Sequence, residues 1–377
     1  MEPWIPVAVL PNASVRKPIA MDDIALLPPT DPRVKAAGHR QPRLLNFICR
    51  FSDAFGQKIE PSILMIRESA PPHFLGTSPV AGFRDAVSIS VIAGGRAVKV
   101  THNSGMPRPI WAECLSIYPW MLDKFGDDLT TNNSSMLGVH ELDLFHGQSV
   151  PGFTTANIDQ SDVDRPLFAE LSRRWVRRFG SENVEWEDRA IFRSLNMAYQ
   201  ASMMPGGQEA TFYDIGRLIT LWVSAMEILI HAGTGGGAYK SGVMDLLDSA
   251  PWCDDRLKVL AHPVPKTKRT TQDRTLASSV YFSIDALRSD FMHGNDVTDE
   301  QLVTNNGTHL LHVAASLYRT ALATKIGVLP PVFEDGDDFD EVEFLDKFSA
   351  YSDWKDTQRR HERAILKAMA LPNSNNQ

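Results

Sequence analysis

Cysteine is scarce: Cys49, Cys114 and Cys253 are the three in a chain of 377 residues. They are far apart and odd in number, so neither a disulfide framework nor a thiolate metal site is indicated, and a reducing compartment is expected. Positive charge is also short, with a net charge of −8. A protein that holds nucleic acid along a broad surface usually carries a large basic face. Any nucleic-acid contact here must therefore be local, a recessed site reading a few phosphates. Long apolar runs are missing as well. The most apolar stretch, Leu218 to Ala232, is too short to span a bilayer and contains Glu227, so it reads as a buried helix. Met1-Glu2-Pro3-Trp4 lacks the basic start and apolar run of a signal peptide. The expected setting is the cytoplasm, with no membrane contact. There is no internal repeat.

What is present is an ordinary balance, 43% hydrophobic and 22% charged, so disorder is expected only at the ends. The length implies two domains, or one large domain with a tail. Residues 1–40 are rich in proline and small residues and read as an irregular lead-in. Residues 41–160 give a mixed α/β signal. Arg43 to Cys49 and Ser62 to Ile66 read as short strands. Asp85 to Ile92 fits a strand or a buried helix, and Gly94-Gly95 should break it. From 161 to 330 amphipathic stretches follow one another, at 166–179, 187–203, 209–232, 238–249, 275–293 and 298–326. Asp164-Arg165-Pro166 is a good helix start, and Thr298-Asp299-Glu300 another, with acids in the first turn. This argues for an all-α bundle. An acidic linker and a last helix near 353–370 complete residues 331–377. The expected class is α+β overall.

One helix end carries chemistry. Arg288 and His293 are five positions apart in Leu287-Arg288-Ser289-Asp290-Phe291-Met292-His293-Gly294. On a helix that spacing is about 140° of rotation, so the two do not share a face. They can still converge on one phosphate, because arginine is long and the helix stops at Gly294. A histidine in the last turn feels the negative end of the helix dipole, which favours its charged form and suits proton transfer. Arginine offers a positive fork for a phosphate or a developing phosphorane. The spacing alone decides nothing. The looser pattern of an arginine, four to six residues and a histidine is also met by Arg33/His39, Arg67/His73, Arg96/His102 and Arg256/His262. Only Arg288/His293 closes a long amphipathic helix on a glycine stop.

Three pieces, in order, resemble the HEPN superfamily in its ApeA-like branch. They are Trp222 to Leu229, Ala238 to Leu247 and Leu287 to Gly294, within 209–326. The resemblance implies a HEPN-like helical bundle, metal-independent RNA cleavage without a cofactor, and a homodimer that brings two motifs into one cleft. It implies that Arg288 and His293 are catalytic, that Ser289 is the polar neighbour, and that Asp290 supports them. Ser289 stands where the family more often has asparagine, aspartate or histidine. By the same analogy the protein would be a toxin or effector in prokaryotic antiphage defence, its N-terminal domain sensing a trigger or restraining the nuclease. The competing readings are a non-catalytic dimerisation or RNA-binding module, and a sensor or adaptor acting through residues 41–150.

Glu227, in its apolar helix, needs a partner. It either orients Arg288, pairs with another cation or faces solvent. Arg173, Arg174 and Arg177, and separately Lys266, Lys268 and Arg269, are basic clusters that would contact an RNA backbone if the nuclease reading holds. Gly233 to Ser241 fails as a phosphate loop, because Tyr239 precedes the lysine and the stretch follows a helix. His140 and His146 are six apart, too far to share a helix face as zinc ligands, so no metal is expected there. His309 and His312 read as packing or surface residues.

Overall fold

The computed structural model describes residues 2–53, 55–102, 108–123, 125–131, 148–149, 156–206, 211–267, 269–333 and 341–369. Strands β1 (Trp4–Leu10), β2 (Ala13–Val15), β3 (Ile19–Ala20) and β4 (Ile24–Leu27) come first. Helices α1 (Pro32–Arg40) and α2 (Pro42–Ile48), strands β5 (Phe51–Ser52) and β6 (Ser62–Arg67), and the long helix α3 (Thr77–Thr101) follow. Then come β7 (Met121–Leu122), β8 (Leu129–Thr130), β9 (Gln148–Ser149) and β10 (Ala156–Ile158). The rest is mainly helical: α4 (Arg165–Gly180), α5 (Trp186–Ala201), α6 (Phe212–Ile230), α7 (Lys240–Asp248) and α8 (Asp255–Lys258). A hairpin of β11 (His262–Pro265) and β12 (Thr271–Arg274) precedes α9 (Leu276–His293), α10 (Leu310–Ile326) and α11 (Glu341–Met369). The class is α+β, as the sequence pattern implied. No helix among the described residues is long and apolar enough to cross a membrane.

Strand periodicity explains how the two parts join. The antiparallel sheet has the order β1-β6-β4-β3, so β6 is central and buried on both faces. Its alternate residues divide between two cores, as the period of two requires. Ile63 and Met65 pack with Leu44, Phe47 and Ile48 of α2, together with Val9, Leu27 and Val34. Leu64 and Ile66 face the other way, into a core that continues through Phe83, Trp175, Trp222, Tyr318 and Ile365. The sheet is thus a layer between α1/α2 and the helices. Helix α3 is buried on nearly every side and packs against α4, α5, α10 and α11. The apolar core therefore runs through position 160 from the first segment into the helical one.

Two fully buried arginines pin this core. Arg96 of α3 donates to the carbonyls of Ile110, Leu311 and Ser202 at 2.8, 3.2 and 2.9 Å. Arg319 of α10 donates to Asp164 at 2.7 Å and to Gln358 of α11 at 2.6 Å. Asp164 also caps α4 by accepting from the Leu167 N–H.

The local readings differ from the structure at four places. Residues 1–40, read as an irregular lead-in, hold β1 to β4 and α1, with Val9, Leu10, Ile24 and Leu27 in the core. Arg43 to Ile48 is helical, because Pro42 occupies the first turn and Leu44, Phe47 and Ile48 recur at helical spacing on a buried face. Gly94-Gly95 does not break α3. The missing side chain at Gly95 admits the Pro109 carbonyl, which would lie 2.1 Å from an added Cβ. The stretch 298–326 is not one helix. A capped 3-10 turn at Asp299–Leu302 and a turn at Gly307, with φ of 78°, precede α10.

Candidate functional site

Helix α9 is anchored at both ends. At its start Asp248 of α7 accepts from the Thr275 backbone N–H and hydroxyl and from the Ser278 hydroxyl. Arg274 donates to the other oxygen of the same carboxylate at 2.8 Å. Burial pushes the Asp248 carboxyl up, but hydrogen bonds from Arg274, Thr275 and Ser278 outweigh it and leave the group below its ordinary range. At the far end the helix stops as its sequence requires. Gly294 takes φ of 71°, its N–H bonds to Phe291 and the Asn295 N–H bonds to the Asp290 carbonyl. This is the paired C-terminal arrangement that a left-handed glycine permits. The Phe291 ring nests on Gly216 of α6, where an added Cβ would come within 2.4 Å of it.

Arg288, one and a half turns before that stop, lies in a charged chain that alternates in sign. Its guanidinium donates to Glu227 of α6 at 3.2 Å and lies 3.7 Å from Asp285 on its own helix. Asp285 in turn meets Lys240, the first residue of α7, at 3.6 Å. Of the alternatives open for Glu227, the pairing with Arg288 is the one present. Burial pushes the Glu227 carboxyl above its ordinary range; Arg288 opposes the shift and Asp285 adds to it. Tyr281, nearly two turns back on the same face, is buried with a hydroxyl that has no hydrogen-bond partner among the described residues. Burial, and after it Asp285 and Glu227, push that phenol well up, so it keeps its proton. The Nε of Arg288 is also buried without a partner among the described residues.

The other expected residues lie around this chain. His293 is exposed, and its imidazole makes no hydrogen bond or ion pair among the described residues. It is not in contact with Arg288. By helix geometry it stands roughly 7.5 Å further along the axis and about 140° around it. Ser289 is half-buried, with no side-chain hydrogen bond among the described residues. Asp290 accepts from the Asn295 side chain at 2.8 Å, so its carboxylate locks the helix end and does not face Arg288 as a partner.

The basic clusters have different fates. Arg174 is held by Glu170, Glu187 and Asp188 at 3.1, 3.1 and 3.2 Å. Arg173 pairs with Glu170 at 2.7 Å and Arg177 with Asp188 at 3.2 Å. Arg174 and Arg177 fasten α4 to α5, and the Arg173 pair lies within α4. Lys266 and Arg269 are exposed near the turn of the β11–β12 hairpin. Lys268 lies outside the described residues, as do His140 and His146. Arg274 and His293 are separated by the length of α9, roughly 27 Å. His309 caps α10 by accepting from the Leu311 N–H, and burial pulls His312 down to about 3. Both act in packing.

Lys240 and Asp285 escaped the sequence reading. Asp285 carried a signal, because Tyr281, Asp285 and Arg288 follow a four-then-three spacing that places them on one helix face. Lys240 carried none, since only the fold brings α7 to α9. Among the described residues no group of three or more His, Cys, Asp or Glu side chains is arranged to hold a metal ion. The comparisons add no relative: no family model, no curated protein and no solved structure matches the chain.

Proposed function

We propose that the chain is a metal-independent RNA endonuclease of the HEPN type. The observation that carries this reading is the end of α9. There an arginine is fixed by two carboxylates from one side, and an unencumbered histidine stands at the helix stop. A phosphodiester lying across that end meets both groups. His293 takes the proton of the 2′-hydroxyl as its oxygen attacks the adjacent phosphorus, or returns a proton to the departing 5′-oxygen. Arg288 stabilises the charge that grows on the phosphorane oxygens. The products are a 2′,3′-cyclic phosphate and a 5′-hydroxyl. Glu227 and Asp285 hold Arg288 in place. A homodimer facing two such helix ends would supply the second proton-transfer group. In a cytoplasmic setting this activity suits a toxin or effector of antiphage defence released by a trigger acting on the N-terminal part.

A specific observation favours the alternative, a dimerisation or RNA-binding module without cleavage. The charge of Arg288 is already matched by two carboxylates of its own chain. One experiment separates the two readings. The full chain is incubated with labelled single-stranded RNA in EDTA, and the ends are analysed. The nuclease reading expects cyclic-phosphate ends, and a loss of cutting of roughly a hundredfold or more in Arg288→Ala and His293→Ala. Cutting by both variants at the parent rate would refute the site. RNA retention without cutting, unchanged in His293→Ala, supports the module instead.

A further inference from the structure

The three helices α3, α4 and α5 border an open, second charged site that shares no residue with the Arg288 chain. Arg178, Arg189 and Arg193 line one cavity of about 360 Å³ there. None of the three makes an ion pair or a side-chain hydrogen bond among the described residues. Their neighbours on α4 are the opposite case, since Arg173, Arg174 and Arg177 are all bound by carboxylates. The Nε of Arg178 is buried and lacks any acceptor among the described residues. A buried donor without a partner is costly, and three like charges around one cavity repel, so both features call for an anion. The acidic group in the cavity wall does not answer that need. Asp85 is already held by Arg84 at 2.8 Å and by Asn196 at 3.0 Å. Asp188, which also acts on Arg178, is taken by Arg174 and Arg177.

The sequence builds this site deliberately in geometric terms. Arg189, Arg193 and Met197 recur every four residues, so α5 presents them as one stripe. Phe179 and Phe192 meet edge to face at 5.1 Å and form an apolar wall beside the arginines. Gly82 of α3 lets the Phe179 ring lie close, since an added Cβ would come within 2.7 Å of it. The cavity volume lies in the ordinary range for a small-molecule site, roughly 300–1,000 Å³. Guanidinium forks suit phosphate, and aromatic and thioether walls suit a nucleobase.

We propose that this cavity binds a nucleoside phosphate, with the phosphate among Arg178, Arg189 and Arg193 and the base against Phe179, Phe192 and Met197. The source is either a free mononucleotide or one nucleotide of a single-stranded RNA. The proposal stands independently of the nuclease reading. It is tested by titration calorimetry of the full chain at low salt with adenosine 5′-monophosphate, with adenosine, and with a short 2′-O-methyl RNA that has no hydroxyl to attack. Saturable binding of the monophosphate, with adenosine failing to bind, assigns the site to a free nucleotide. Binding of the RNA with no binding of the monophosphate assigns it to an RNA segment. In either case Arg189→Gln and Arg193→Gln should each weaken binding by about tenfold or more, the loss expected for one charge-assisted contact. Both side chains are exposed, so the variants keep the parent's fold, which their melting curves check. The proposal is overturned if neither phosphate ligand binds, if adenosine binds as well as the monophosphate, or if the double variant binds like the parent.

Discussion

The buried pair of Arg319 and Asp164 makes a prediction whose size can be worked out from the structure. Arg319 is 0% exposed and Asp164 4%. The pair links α10 to α4, and Gln358 extends it to α11. In Arg319→Met the Asp164 carboxylate keeps its bond to the Leu167 N–H but loses its ion-pair partner, with Arg360 left to act on it from further off, which costs about 3–5 kcal/mol. In Asp164→Asn the cap survives, because asparagine caps as well as aspartate. The arginine is then the uncompensated charge, at a similar cost of about 3–5 kcal/mol. In the double variant neither charge remains. One guanidinium nitrogen, Nη2, has no partner among the described residues even in the parent, so the pair recovers only part of its desolvation cost. The double variant should therefore be less damaged than either single one, with a coupling energy of at least about 2 kcal/mol. Urea unfolding followed by tryptophan fluorescence measures all four proteins, and the chain has eight tryptophans to report it. Single-variant losses that simply add, to within about 0.5 kcal/mol, would refute the reasoning.

Two further predictions concern stability. Gly95→Ala should destabilise by about 1–3 kcal/mol through overpacking, because the new methyl meets the Pro109 carbonyl. If that contact is not there, the same change instead raises the melting temperature, as alanine exceeds glycine in a helix by about 1 kcal/mol. Glu227 has a carboxyl raised by burial, so its folded form holds a proton at pH values where the unfolded chain has lost it. The stability this gives is full below the ordinary glutamate range and is lost as pH rises through the raised value. Glu227→Gln removes that loss, so its melting temperature relative to the parent should climb from acid to neutral pH in scanning fluorimetry. A relative fall over the same range would mean that attraction to Arg288 outweighs desolvation.

The features legible in the sequence are those whose cause is local. The end of α9 could be read because Gly294 has to stop a helix whatever surrounds it. Strand β6 could be read because four successive apolar residues, Ile63 to Ile66, leave only a buried strand or a short helix, and Pro61 stands just before it. The features that escaped have causes elsewhere in the chain. Gly94-Gly95 reads as a break until the Pro109 carbonyl is packed against it. Strands such as β7 and β8 are two residues each, and pairing alone defines them. Most instructive is the basic run of α4. Read alone, Arg173, Arg174, Arg177 and Arg178 are four equivalent cations. The first turn of α5 then delivers Glu187 and Asp188 to Arg174 and Arg177, while Glu170 takes Arg173. One arginine of the run, Arg178, is left to face Arg189 and Arg193. A charge cluster in sequence thus states how much charge there is, and only the helix packed against it decides which members remain to meet a ligand. The same holds for Arg288: its position at a helix end was visible, but the two carboxylates that fix it come from α6 and from its own helix face. Their hold on Arg288 is what the cleavage assay in EDTA will show to be either a catalyst's support or a neutral clamp.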